Sequence, residues 1–176
     1  MDEISQLCRE AATGDRQALE ELVRAIQQDV WQLCAVLGRR GEADDLAQES
    51  LMRVVRALPS YRGEGSGRAW VLSIARRTCM DDLRRGYRLR ALTERIVGES
   101  RSTATSSADV TGYAGLAALV RSLDPDQRSA FVLTQVIGLS YEEAAEACAC
   151  PVGTIRSRVS RARIELAEQL RRSEAV

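Results

Sequence analysis

From Val152 the chain reads VGTIRSRVSRARIELAEQLRR. At helical spacing Thr154, Arg158 and Arg161 fall at i, i+4 and i+7, Arg156, Ser160 and Arg163 form a neighbouring row, and Ser157 sits between them. Guanidinium groups pair with phosphate or guanine, and hydroxyls with phosphate or base edges. The set therefore has the chemistry of a helix laid in a DNA major groove. A solvated helix surface ordinarily mixes signs, whereas here no acid appears before Glu165. Val152, Ile155, Val159, Ala162, Leu166 and Leu170 keep an apolar stripe on the other side, which is the side that packs.

Other chemistries are poorly served. The chain has no histidine, which removes a Ser-His-Asp triad, a Cys-His nucleophile, an H-E-x-x-H metal helix and any Cys/His zinc finger. Asp44/Asp45 and Asp81/Asp82 could be imagined as a metal or acid/base cluster of a nucleic-acid enzyme, but adjacent carboxylates on a helix point to different faces. Cys8, Cys34, Cys79, Cys148 and Cys150 are odd in number and scattered through apolar helical patterns, so they read as reduced, buried small hydrophobes. Cys148 and Cys150 are the one close pair and lack two further ligands, so neither a metal nor a cofactor is expected. The start, MDEISQLCRE, is acidic without an apolar leader, and no run approaches the roughly 18 apolar residues of a membrane span; a cytoplasmic protein without membrane insertion is expected.

These groups need elements to position them. The 176 residues allow one medium domain or two small ones. All 25 basic residues are arginine, and 25 acids balance them, yet the charges segregate. Residues 1–52 carry net −6, 53–101 net +7, 102–150 net −4 and 151–176 net +3. The repeated acid-then-base pattern suggests two modules, each with one surface for protein and one for nucleic acid. Leu19, Leu22, Val23, Ile26, Val30, Leu33 and Leu37 recur at three- and four-residue steps up to Gly38. A second helix keeps Ala47, Leu51, Val54, Val55 and Leu58 on one side and ends at Pro59. A third spans about 68–85, with Trp70, Ile74 and Thr78 beside Leu72, Ala75, Cys79 and Leu83. No segment alternates as a strand does, so the chain is all-α.

Residues from about 90 to 110 are Ser/Thr-rich and nearly free of apolar side chains, which reads as a flexible linker. Helical pattern resumes with Tyr113, Leu116, Ala117, Val120 and Leu123. Asp124-Pro125-Asp126-Gln127 then offers an aspartate cap, a first-position proline and a glutamine completing a capping box. That helix carries Ala130, Phe131, Thr134 and Ile137 to Gly138; Ser140 and Glu143 form a second capping box for a short helix from Tyr141 to about Cys148. Two short helices and a turn before the arginine helix are what a helix-turn-helix requires.

At this point a resemblance emerges. The stretch from Leu139-Ser-Tyr-Glu-Glu-Ala-Ala through Pro151-Val-Gly-Thr-Ile-Arg-Ser-Arg-Val-Ser-Arg-Ala-Arg resembles the promoter-binding C-terminal domain of extracytoplasmic-function (group 4) sigma factors of the sigma-70 family. Asp44-Asp45-Leu46-Ala47-Gln48-Glu49, Trp70-Val-Leu-Ser-Ile-Ala-Arg and Asp81-Asp82-Leu83-Arg84-Arg85 resemble their N-terminal domain in order and spacing. The match covers nearly the whole chain except the termini and linker.

The resemblance implies a sigma domain 2 over 1–89, a linker over 90–112 and a wingless domain 4 over 113–176. It implies a non-enzymatic alternative sigma factor that binds core RNA polymerase (β′ coiled coil and β flap) and promoter DNA, under the control of an anti-sigma factor. Asp45, Gln48, Glu49 and Met52 lie at i, i+3, i+4 and i+7, a polar stripe with one methionine that suits a partner helix bearing arginines and aliphatic groups. By the same resemblance the −35 element falls to Thr154, Arg156, Ser157, Arg158, Ser160, Arg161 and Arg163. The −10 element falls to the Gly-rich stretch 60–68, with Tyr61 as a stacking surface beside Arg62 and Ser66, and to Arg77, Asp81, Arg84 and Arg85 on the following helix. The Gly-rich stretch could instead cradle a nucleotide phosphate, but no GK[ST] follows it and no strand precedes it. Relatives often carry asparagine where Arg77 stands and an aromatic near Ala69, so base preference does not transfer. Trp70, in register with Ile74 and Thr78, reads as a core anchor. The rival reading is a one-component regulator that pairs the helix-turn-helix with a sensing or dimerising half.

Overall fold

The computed structural model describes residues 2–97 and 113–174. Among them every regular element is helical. The N-terminal unit comprises α1 (Glu3–Ala12), α2 (Arg16–Leu37), α3 (Ala43–Ala57) with a 3₁₀ turn at Leu58–Ser60, and α4 (Gly67–Val97). The C-terminal unit comprises α5 (Tyr113–Ser122), α6 (Pro125–Phe131) running into a π turn at Val132–Val136, α7 (Tyr141–Cys148) and α8 (Val152–Glu174).

The expected periodicities build the N-terminal bundle. Leu22, Ile26, Val30, Leu33 and Leu37 of α2 are almost wholly buried, as are Val54 of α3 and Val71, Leu72, Ala75 and Cys79 of α4. Each such Leu, Ile or Val side chain contributes about 1.5–3 kcal/mol by leaving water. Two features depart from the sequence reading. The first is α1, which the pattern analysis did not contain; Asp2 caps it by accepting from the Ser5 amide at 2.5 Å. Ser5 in turn accepts from the Gly67 amide at 2.7 Å, and a Cβ on Gly67 would lie 2.7 Å from the Ser5 backbone. Gly67 is therefore demanded by helix-to-helix approach. The second is Val55, which sits outside the bundle at 38% exposure.

In the C-terminal unit Leu123, Val132, Leu133, Ile155, Val159 and Ala162 form the interior. Both predicted helix starts are present, with one correction. Asp124 accepts from the amides of Asp126 and Gln127, but the Gln127 carboxamide does not return the bond, and its Oε1 is buried without a partner. The Ser140/Glu143 box is complete in both directions. α7 ends on Ala149 in the left-handed conformation, and α8 opens after Pro151.

The linker boundary also moves. α4 continues to Val97, so residues 90–97, expected to be flexible, are helical; positions 98–112 lie outside the described residues. The two units are packed together. α4 lies against α7, α2 meets α5 and α6, and the buried side chains form one continuous cluster from Leu7 to Leu166. Polar contacts join the units as well. Arg121 donates to the Ala35 carbonyl at 2.6 Å, Arg68 to the Ile137 carbonyl at 3.0 Å, and Arg76 pairs with Asp126 at 2.7 Å.

Candidate nucleic-acid and polymerase interfaces

α8 presents its arginines as the spacing requires, with one exception. Ile155, Val159 and Ala162 face the interior, which turns Arg156, Ser157, Ser160, Arg161 and Arg163 outward. Ser157 donates to the Thr154 carbonyl at 2.9 Å, and Arg163 to the Gln135 carboxamide at 2.6 Å, so the π turn of the first helix steadies the reading surface. Thr154 is half-buried. Arg158 stands apart. Its guanidinium reaches inward to Asp126 at 2.6 Å with its side chain only 22% exposed, and it works as a strut between α8 and α6.

The Gly-rich stretch leads into α4. Gly63 and Gly65 both hold φ +72°, which a side chain rarely adopts. The Tyr61 ring packs on Trp70 at 4.8 Å between centroids, tilted by 54°, so the two aromatics form one half-buried pair; Trp70 leans on the core without being enclosed. Arg62 is exposed and Ser66 half-buried. On α4 Arg77 bends back to the Ser73 carbonyl and hydroxyl at 3.1 and 3.0 Å, and Arg84 and Arg85 are exposed. Asp81 accepts from Arg84 at 3.3 Å and Arg53 at 3.5 Å.

A groove of about 670 Å³ opens between α2 and α3 and is mostly apolar. Gln48 and Met52 line it, and Met52 is 42% exposed. Asp45 and Glu49 lie outside its lining: Asp45 is exposed, and Glu49 pairs with Arg53 at 2.8 Å, which holds the Glu49 carboxyl below the usual range. The sequence reading did not mention Trp31, placed Val55 on the packed side and named Asp44 only within the acidic motif, yet all three line the groove. Trp31 stands 40% exposed on the groove wall and donates its indole N–H to Asp44 at 2.8 Å. An exposed tryptophan within an otherwise well-patterned helix was the available signal.

Comparison with known proteins agrees with this layout. The family model for Sigma-70 region 2 matches residues 22–89, and that for Sigma-70 region 4 matches residues 114–166. The ECF RNA polymerase sigma factor SigC of Mycobacterium tuberculosis is 42% identical over 163 residues, which cover 91% of this chain and 87% of that protein. The chain belongs to the extracytoplasmic-function group of the sigma-70 family. Two solved relatives share its fold. The sigma factor RpoE, in complex with the anti-sigma factor NepR from Bartonella quintana, matches with TM-score 0.72 and 28% identity over 86% of this chain and 96% of that one. CnrH, in complex with the cytosolic domain of CnrY, matches with TM-score 0.74 and 26% identity over 96% of this chain and 97% of that one. Within this sigma-factor frame the groove and α4 as far as Leu89 lie in region 2, and α8 opens inside region 4.

Proposed function

We propose that this sigma factor binds core RNA polymerase through the α2–α3 groove and directs initiation by reading two promoter elements. Gln48, Met52 and Trp31 receive the polymerase, with Asp45 and Glu49 on the flank. Arg156, Ser157, Ser160, Arg161 and Arg163, with Thr154 at the edge, address the −35 element. Tyr61, Arg62, Ser66, Arg77, Asp81, Arg84 and Arg85 address the −10 element and its opened strand. Arg158 supports the reading helix from behind. The chain does no covalent chemistry, and an anti-sigma partner regulates it, as partners do for the solved relatives. No described helix is long and apolar enough to cross a membrane. The observation that carries this reading is the pairing, on one chain and in family order, of an apolar docking groove with a solvent-facing arginine and hydroxyl row.

The test is run-off transcription with purified core polymerase over a randomised promoter library. A defined promoter with both elements is expected; a chain that never joins core polymerase, with any inhibitory partner removed, refutes the reading. Met52→Asp is expected to weaken core binding at least about tenfold, equivalent to roughly 1.4 kcal/mol. Arg161→Ala is expected to lower promoter affinity and the salt slope by about one, as loss of one phosphate contact requires.

A further inference from the structure

We propose that α1 is the support of the −10 loop, and that Ser5 is a positioning residue for promoter reading: it holds the loop in the shape that receives the opened strand without itself touching DNA. This rests on the promoter reading above.

A loop of this composition does not keep a shape unaided. Gly63, Gly65 and Gly67 fall within five residues, the first two at φ +72°, and glycine loses more backbone freedom on ordering than any other residue. A loop that must order itself when the strand arrives binds more weakly than one already shaped. α1 supplies the shape beforehand. Asp2, Ser5 and Arg9 stand at i, i+3 and i+7, on one face of the helix and its cap, and the loop runs along that face in the opposite direction. The Arg9 side chain lies against Gly63, where a Cβ would meet it at 3.6 Å. Asp2 accepts the Ser5 amide on one carboxylate oxygen at 2.5 Å and the Ser66 hydroxyl on the other at 3.3 Å.

The decisive contact is at the start of α4. The first amides of a helix have no partner within it. Here Ser66 takes the Ala69 amide at 3.3 Å, and Ser5, itself only 3% exposed, takes that of Gly67 at 2.7 Å. The C-terminal end of the loop is thereby tied to α1. The other end is held by burial, since the Tyr61 hydroxyl is enclosed beside Ser5, Cys8 and Arg9. α1 is itself anchored: Leu7 and Cys8 on its opposite side are buried, and the helix packs along α2. Glu143 and Glu146 of α7 also reach Ser66, but α1 shares a unit with the loop. It does so from outside the stretch 22–89 that the region 2 family model matches.

The test uses the full chain with Ser5→Ala, bound to core polymerase, which leaves the Gly67 amide buried without its acceptor and alters no residue assigned to promoter or polymerase. Three affinities are measured: for core polymerase, for a duplex carrying the −35 element alone, and for a single-stranded oligonucleotide of the −10 element. Both DNA sequences come from the promoter that the randomised library defines. The strand affinity is expected to fall about three- to tenfold with the other two unchanged. Gly67→Ala, which sets a Cβ 2.7 Å from the Ser5 backbone, pushes α1 and the loop apart from the other side and is expected to show the same split. A merely structural Ser5 would loosen the whole N-terminal unit and lower core affinity together with strand affinity, because the groove lies in the same unit. Unchanged strand affinity in both variants overturns the proposal, and so does a parallel loss of core affinity. Wild type that fails to join core, or joins it yet ignores the strand, refutes the promoter reading instead. Hydrogen exchange at residues 61–67, expected to quicken about tenfold in the Ser5→Ala variant, then still decides whether α1 holds the loop.

Discussion

Asp82 receives both arms of the Arg39 guanidinium, each at 2.8 Å, with its own side chain only 8% exposed, and so fastens the end of α2 to the middle of α4. The arginine holds the Asp82 carboxyl below its ordinary range. A carboxyl whose pKa is depressed on folding stabilises the fold above its unfolded value and ceases to do so as pH falls through the folded value. Asp82→Asn should therefore cost about 2 kcal/mol at pH 7 in urea unfolding, and the gap from wild type should begin to narrow below about pH 4, where the carboxylate in the unfolded chain protonates, and close as pH falls through the lower folded value. The cysteines separate just as sharply. Burial pushes the Cys8 and Cys148 thiols up to about 11, and Cys79 donates to the Cys34 sulfur at 3.6 Å deep between α2 and α4. Iodoacetamide at pH 8 should label half-buried Cys150 first and the other four only on unfolding, read by mass. Cys79 was legible as buried because it sat in the apolar row of α4, whereas Cys150, read as buried with the other four, is only half-buried. The inward turn of Arg158 was not legible, because its partner Asp126 is 32 positions away and nothing local marks the pair.

Helix beginnings were the most legible elements, since a cap is written in three or four neighbouring residues. Asp124 and Ser140 cap as read, and Ser140→Ala should destabilise the chain by about 1 kcal/mol, measured as a lower urea midpoint with unchanged slope. Gln127 shows the limit of such reading: its side chain has the right type at the right spacing, yet it is buried in the tertiary structure and does not reach the cap. α1 escaped notice because ten residues offered few apolar positions; Leu7 and Cys8 are buried, while Ile4 and Ala11 are only partly covered. α4 outran its expected end for a related reason. Its last turns carry Tyr87, Leu89 and Leu92 at more than half exposure, so no core-facing period marks them.

At the scale of the molecule, the order of the two units and their division of surfaces could be read from charge and motif, but their packing could not. That contact joins residues 50 to 86 positions apart, as in Arg76 with Asp126, Ser66 with Glu146 and Arg121 with Ala35, and no periodicity encodes it. Because one buried cluster spans both units, the full chain should unfold in urea as one cooperative event. Both tryptophans, Trp31 and Trp70, lie in the N-terminal unit, so their fluorescence reports that unit while circular dichroism reports all the helices. The two curves should coincide; separate midpoints would show the units melting independently. One dimension of α4 has a mechanical corollary. A helix of 31 residues is about 45 Å long at about 1.5 Å per residue; one face of it is buried as far as Gly86, and the side chains from Tyr87 to Leu92 are exposed. The residues beyond Gly86 extend the helix as a stiff arm of about 16 Å, so bending it there by about 10° swings its tip by about 3 Å, enough to re-aim whatever follows in the chain.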